Sequence, residues 1–395
     1  VTVAQRRARL LARHRLGVPA GSVADATESL VALHATDPLT VYLSAWARTR
    51  CTIEAVDAAL YADRTLVRML GMRRTVFLVP ARLAGLVQAA CTDDVARRLR
   101  RQLEKDLAGG MVGNGDPASW LRSVEDGVLR SLAGRGGGAS GAELSRDEPR
   151  LRTQLVYAAG KAYGGAQNIT SRVLVLIAAD GRMIRGNRRG GWSSGQFEWV
   201  LPDAWLGRAD SDPDGSWGAR PDPAAARAEL ARRWLAAFGP ALPGDLQWWA
   251  GWTGAQTKAA LAQIDAVEVD LDGRTGVLLA GDDGFPAALP PAAALLPALD
   301  PTPMGWQERS WYMGPHVPFL FDRTGNVGPT VWWEGRVVGG WAQRASGEVV
   351  FRLLEDIGAA GVAAVGREAE RLETWLGQAR VTPRFRVPLE RELSA

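Results

Sequence analysis

Three times along this chain a group of helical segments gives way to two β-rich runs joined by a turn, and this recurrence limits the fold more than any other feature. In the first group, apolar residues at helical spacing mark segments 5–16, 27–33, 38–48 and 53–61. Runs at 65–70 and 75–79 then flank Gly71-Met72-Arg73-Arg74. The second group follows long helical segments at 81–105 and 116–133 and a glycine-rich loop at 134–138. It reads as a short helix at 140–145, a second helix at 167–178, and runs at 182–185 and 196–200 that frame a turn with Arg188 and Arg189. The third has helices at 224–238, 243–249 and 254–264, then runs at 267–271 and 276–280 around Asp272-Gly273-Arg274, whose Asp-Gly step is a hairpin signal. Helices closed by a hairpin are the outline of a winged helix. The Pro- and Asp-rich stretch 210–223 reads as a linker. Beyond Leu289-Pro290-Pro291, short Trp- and Gly-rich runs and a helix at 359–376 read as a small β-barrel or curved sheet with one covering helix. The expected class is α+β: tandem winged-helix (helix-turn-helix plus β-hairpin) domains with a C-terminal β-barrel-like domain. The expected units are 1–105, 106–210, 222–285 and 290–395.

At 395 residues the chain exceeds one ordinary core. No apolar run approaches the roughly 18–20 residues of a membrane span. The arginine-rich start (Arg6, Arg7, Arg9, Arg13, Arg15) lacks the apolar stretch of a signal peptide. Cys51 and Cys91 stand alone, which points away from a disulfide framework and from a metal site. A cytoplasmic protein is expected, with neither membrane partner nor cofactor. Charge is unevenly placed: residues 1–110 hold 17 Arg/Lys against 10 Asp/Glu, while the whole chain is only +4. A basic front permits a nucleic-acid partner. Only three of the cations are lysines, so almost every positive charge is a guanidinium.

The stretch Leu30 to Pro38 places an imidazole (His34), a hydroxyl (Thr36) and a carboxylate (Asp37) within four residues. Asp-Pro is a helix-start signal, since aspartate accepts the orphan amides of the first turn and proline suits N1. The polar trio is therefore expected in a short connection between two helices. A helix-end histidine is also commonly a dipole partner or a packing residue, and N-capping alone accounts for Asp37. The other histidines, His14 and His316, have no polar constellation around them in the sequence.

Segments 33–48, 64–80 (with Arg68-Met69-Leu70-Gly71-Met72-Arg73-Arg74-Thr75), 295–301 (Leu295-Leu296-Pro297-Ala298-Leu299-Asp300-Pro301) and 331–344 together resemble the AlkZ/YcaQ-like winged-helix DNA glycosylases, which excise alkylated purines and unhook interstrand crosslinks. The resemblance runs through most of the chain. It implies a C-shaped, monomeric body with a concave basic channel for double-stranded DNA carrying alkylated or crosslinked bases, near the nucleoid. The scarcity of lysine argues against a Schiff-base lyase, so any glycosylase here is expected to be monofunctional. Where the AlkZ-type members carry a pair of catalytic glutamines separated by one residue, and the YcaQ-like branch glutamine then aspartate, this chain has His34 and Thr36; Asp37 and Pro38 are kept. His34, with an ordinary pKa near 6.5, suits accepting a proton from water, Thr36 suits holding that water, and Asp37 suits orienting the ring. The DNA contacts expected are Arg68, Arg73 and Arg74 at the first hairpin, Gln167, Asn168 and Thr170 at a recognition-helix start, and Arg188 and Arg189 at the second hairpin. The alternatives are a non-catalytic DNA-binding protein of the same fold, acting as lesion sensor or regulator, and a resistance protein that sequesters a DNA-alkylating natural product.

Overall fold

The computed structural model describes residues 1–109, 115–157, 164–207, 220–284 and 290–395. Most of the stretch read as a linker, up to residue 219, lies outside them. Helix α1 (Val3–Arg13) starts with a capping box: Gln5 N–H donates to the Thr2 hydroxyl, and Thr2 N–H donates to Gln5 Oε1 at 2.8 Å. Helix α2 (Val23–Glu28) is capped by Ser22. The helix expected at 27–33 does not form. Thr27 lies inside α2 and donates to the Val23 carbonyl; Val31, at φ 64°, then turns the chain into strand β1 (Leu33–His34). Leu30 to Leu33 are all buried, so this apolar run carries no periodicity that selects helix over strand. Helix α3 (Pro38–Thr49) begins under its Asp37 cap as expected and ends at Arg50 in the left-handed region. Helix α4 (Ile53–Asp57) follows, capped by Thr52.

Strands β2 (Leu66–Leu70) and β3 (Val76–Pro80) form the first hairpin, and β1 adds to its edge. Helices α5 (Asp93–Gly109), α6 (Pro117–Gly134) and α7 (Gly141–Asp147) lead to a ribbon that sequence reasoning did not anticipate, β4 (Gln154–Tyr157) with β5 (Gly165–Asn168). After α8 (Thr170–Ala179), the second hairpin, β6 (Ile184–Arg188) and β7 (Phe197–Val200), joins the first in one five-stranded sheet of order β1-β3-β2-β6-β7. The seam between the hairpins is one residue pair, Arg68 opposite Arg185.

The third group follows the expected pattern, with α9 (Pro223–Phe238), α10 (Pro243–Ala250), α11 (Gly254–Leu261) and the hairpin β8 (Ala266–Leu271) to β9 (Arg274–Leu279). Its turn residues Asp272 and Gly273 both have positive φ, the geometry that an Asp-Gly step supplies readily. The C-terminal part departs from the barrel-like expectation. Strands β10 (Ala293–Leu296), β11 (Thr330–Trp333), β12 (Arg336–Gln343) and β13 (Val349–Leu353) make an open antiparallel sheet, and no closed barrel is found among the described residues. Four strands are too few to close around a filled interior. Helix α12 (Gly358–Leu376) covers this sheet, and α13 (Pro388–Leu393) packs on β12 and β13.

Two large apolar cores result, with a small third cluster of Ile184, Val200 and Trp205. One gathers residues between 10 and 91, 226 and 277, and 293 and 393; the other holds residues 103 to 199. The chain leaves the first core at α5 and returns at α9. Those two ends are clasped, Arg220 to Asp93 at 3.0 Å and Arg227 to Asp94 at 3.3 Å.

At the centre of the first core lies a fully buried ion pair between Arg48 of α3 and Asp300. Arg48 donates from both terminal nitrogens to Asp300 (2.8 and 2.7 Å), and also to the His14 carbonyl, the Ser44 carbonyl and the Thr302 hydroxyl. Ser44 Oγ–H and Thr302 N–H complete the Asp300 shell. Arg48 holds Asp300 below the usual carboxylate range against its own desolvation. Removing one partner strands the other charge. Arg48→Met is expected to cost about 3–5 kcal/mol in denaturant unfolding, and the double variant Arg48→Met/Asp300→Leu to recover a large part of it.

Candidate functional site

His34 opposes Phe77 across β1 and β3, and the Ala35 amide extends the pairing to the Val76 carbonyl. In an antiparallel sheet directly opposed residues share a face. His34, Phe77 and Met69 therefore lie on one face, while Leu33, Leu78, Arg68, Arg185 and Trp199 form a row across the other. The imidazole is 7% exposed and meets the Phe77 ring edge-on at 5.4 Å. Its Nδ1 accepts a long contact from the Thr36 N–H at 3.5 Å. That contact favours the tautomer with its proton on Nε2. Burial, reinforced by the nearby Arg73 guanidinium, lowers the His34 pKa to about 3. The ring is neutral at physiological pH, and the expected value near 6.5 does not hold, because desolvation disfavours the imidazolium. Thr36, two residues on, is half-buried, and its hydroxyl has no protein partner among the described residues.

Asp37 does not join this pair. One carboxylate oxygen accepts from Leu39 N–H at 3.1 Å and the other from Arg384 N–H at 2.9 Å. It caps α3 and anchors residue 384; it does not orient His34. Burial raises its pKa, partly opposed by those two amides.

The expected DNA-contacting residues divide. Arg188 is ion-paired to Asp57 and donates to the Tyr42 hydroxyl at 2.9 Å; Arg189 pairs with Glu143 and Glu198. Both guanidiniums are spent inside the protein. Arg73 is folded inward: it lies 3.9 Å from the Trp248 ring centroid, and burial lowers its pKa to about 10. Gly251 permits this, since a Cβ there would meet the Arg73 backbone at 3.1 Å. Arg68 lies on the sheet face opposite His34 and donates to the Tyr61 hydroxyl at 2.8 Å. Gln167 and Asn168 are exposed on β5 and do not open a helix; α8 starts at Thr170, whose hydroxyl donates to the Leu151 carbonyl. Arg74 remains exposed with no acidic partner among the described residues, and it opens on a cleft of ≈ 390 Å³ between α5 and α8, lined also by Arg98, Gln102, Ser171 and Arg172.

Sequence reasoning missed Arg98, which lines this cleft. It also missed an aromatic chain in which Trp192, from the β6–β7 loop, lies 5.2 Å from Tyr42 and 5.8 Å from Trp375. Arg98 carried a signal, the basic run Arg97 to Arg101 on one helix; the aromatic chain depends on contacts between distant segments. His14 is structural, bonded to Thr302 and the Ala237 carbonyl and stacked on Trp306; His316 bonds Glu355. Among the described residues no group of three or more His, Cys, Asp or Glu could hold a metal ion, and no helix is long and apolar enough to cross a membrane.

Residues 27–375 match the model of the family described as DNA glycosylase AlkZ-like. The solved structure of Streptomyces sahachiroi DNA glycosylase AlkZ has a similar fold, with a TM-score of 0.74 and 22% identity, over 96% of this chain and 98% of that one. No curated protein matches in sequence.

The neutral histidines predict an acid-side loss of stability. Burial first, then Arg48, lowers the His14 pKa to about 3 as well. Between pH 6.5 and 3 the unfolded chain binds protons at His14 and His34 that the native protein refuses. Native stability should therefore fall as pH drops through that window, by about 1.4 kcal/mol per pH unit for each histidine. Unfolding measured at pH 7 and pH 5 checks the slope, and His34→Gln should halve the histidine contribution. A His34 ring titrating near pH 6.5 by NMR would contradict this environment.

Proposed function

The chain belongs to the AlkZ-like DNA glycosylase family, and on that premise we propose that it hydrolyses the N-glycosidic bond of bulky or crosslinked N-alkylpurines in double-stranded DNA. The observation that carries this reading is the contact of the Thr36 N–H with Nδ1 of the buried, neutral His34 ring, with the unpartnered Thr36 hydroxyl two residues on from the imidazole. A purine alkylated at N7 is already cationic. Its C1′–N9 bond can break to release a neutral base and leave an oxocarbenium-like sugar. Water then forms the new C1′–O bond and gives its proton to solvent. Such a reaction needs an oriented nucleophile more than a strong base.

In this reading His34 donates from Nε2–H to one lone pair of the water, and Thr36 accepts one of its protons. The second lone pair is left to face C1′. An imidazole with a pKa of about 3 is a poor proton acceptor at neutral pH, so His34 serves by position and not by taking the proton. Asp37 holds the segment through the first turn of α3. The helix pairs closed by β2–β3, β6–β7 and β8–β9 are read as winged-helix units. The cleft of Arg74, Arg98, Gln102 and Ser171 suits a DNA backbone, since phosphate neutralisation dominates affinity. One observation favours the second reading, a non-catalytic lesion reader: among the described residues no strong base is bonded to Thr36.

Abasic-site formation on duplex DNA with an N7-alkylguanine, read as alkali-labile scission, tests the proposal. His34→Ala and Thr36→Ala should each lose about 10²-fold in single-turnover rate. His34→Gln, which keeps a neutral donor, should stay within about tenfold of wild type. Tight binding by wild type without product on monoadduct and crosslink alike would overturn catalysis in favour of lesion reading.

A further inference from the structure

We propose that the cleft between α5 and α8 is a receptor for one unpaired nucleotide of a DNA strand, its phosphate held by Arg74 and Arg98 and its base laid on an apolar floor. The receptor rests on geometry; naming its occupant as DNA rests on the function proposed above. Val95, Leu99 and Leu103 recur at i, i+4 spacing along one face of α5, and Val175 of α8 lines the same cleft. The space of ≈ 390 Å³ is enough for a small ligand. Its two walls are tied together at two places, by Arg172 to Asp106 at 2.7 Å and by Arg100 to Asp180. Arg74 and Arg98 are exposed and have no ion pair among the described residues. The nearby carboxylate of Asp106 is spent: one oxygen accepts from Gln102 Nε2 at 2.7 Å, the other from Arg172 at 2.7 Å. Positive charge is therefore left standing over an aliphatic floor.

Arg74 is kept at the cleft against the preference of its own backbone. Arg73 and Arg74 lie at φ 51° and 59°, in a hairpin turn where Asn or Gly is the ordinary choice. The turn is fixed all the same. Gly71 N–H donates to the Thr75 carbonyl at 2.8 Å, Thr75 N–H to the Met72 carbonyl at 3.0 Å, and Arg73 is stacked on Trp248. Strain that the surroundings hold in this way gathers at ligand clamps. A duplex backbone would use the two cations and leave the floor uncovered. A base covers it, and its polar edge suits Gln102 Oε1 and the Ser171 hydroxyl, neither of which has a partner among the described residues. The forked donors of arginine match the phosphate. A turn at the end of a hairpin belongs to neither face of the sheet. Arg74 precedes Phe77, the residue opposite His34, by three residues, or about 10 Å of strand. That is roughly three nucleotide steps at the 3.4 Å rise of DNA. A bulky or crosslinked purine disrupts pairing around itself and so supplies an unpaired nucleotide within that reach.

The test uses the full chain with Arg74→Gln and Arg98→Gln, both on exposed side chains, and Leu99→Gln on the floor. Affinity is measured for a duplex with one nucleotide bulged from a strand, and for the same duplex with an abasic spacer at the bulge. Wild type should prefer the base-bearing bulge by about fivefold, the low end of what covering one base face gives. Leu99→Gln should lose that preference and keep the salt dependence of wild type. If its thermal melt shows it unfolded, Val175→Thr, which keeps the side-chain shape, replaces it. Arg74→Gln and Arg98→Gln should each weaken binding to both bulges and lower the slope of log K against log[salt] by about 0.9. Equal affinity of wild type for base and spacer would overturn the nucleotide and leave a backbone clamp. Unchanged slopes in both arginine variants would overturn the receptor itself. If wild type binds neither duplex, the glycosylase reading fails, and thymidine monophosphate decides the receptor alone. It should raise the Tm of wild type more than inorganic phosphate does, and leave Arg98→Gln unmoved. Equal protection by the two, or none, would remove the receptor as well.

Discussion

The Arg48–Asp300 pair is the constraint on which the remaining geometry depends. Moving two full charges out of water costs several kcal/mol per ion, and a single bond between them does not offset that. Here the pair is surrounded by hydroxyls, an amide and two carbonyls, so every strong donor and acceptor is matched. The arrangement exists only when α1, α3 and the segment through Asp300 are assembled together. It therefore ties the front of the chain to its last third and fixes the direction of α3. Asp37 starts that helix, and His34 and Thr36 are the residues just before it. Their placement thus follows from an ion pair more than ten residues farther along.

Much of this was legible in the residues. The Asp37-Pro38 start of α3, the Asp272-Gly273 turn and the long helix at 223–238 each rest on local chemistry that no distant contact overrides. What escaped notice depended on distance. Strand β1 forms because Leu33 and His34 find β3 more than forty residues away, and a uniformly buried apolar run gives no hint of it. The Arg188 charge looked available because its partner, Asp57, is 131 residues back. Arg73 sits at a hairpin turn, the expected place for a DNA contact, yet a tryptophan and a glycine of the third group draw it inward. Of the two C-terminal expectations, the sheet with one covering helix is the one that forms, and its four strands leave it open. Trp332 and Trp333 are buried core, as aromatic pairs at strand edges usually are.

The candidate site combines two kinds of electrostatic economy. Around His34 the protein suppresses charge: the ring is buried, neutral and contacted by the Thr36 amide. A neutral imidazole and a glutamine amide then become interchangeable in kind, each offering a fixed donor. Elsewhere the protein keeps charge and sorts it. Most guanidiniums close ion pairs that hold segments together, and a smaller set, without such partners among the described residues, faces a cleft. Counting arginines along the sequence cannot separate these sets, because the difference lies in where the acids fall once the chain is folded.

The clasp of Arg220 on Asp93 and of Arg227 on Asp94 has a consequence for how such a chain can change. It brings the two ends of the second core side by side, so that core hangs from the first as an insertion with adjacent stems, sharing with it the one Arg68–Arg185 register. An insertion of that kind can be lengthened, trimmed or exchanged while the strand bearing His34 keeps every one of its supports. Variation in the second core can then arise by editing a replaceable module, and the His34 strand need not be rebuilt each time.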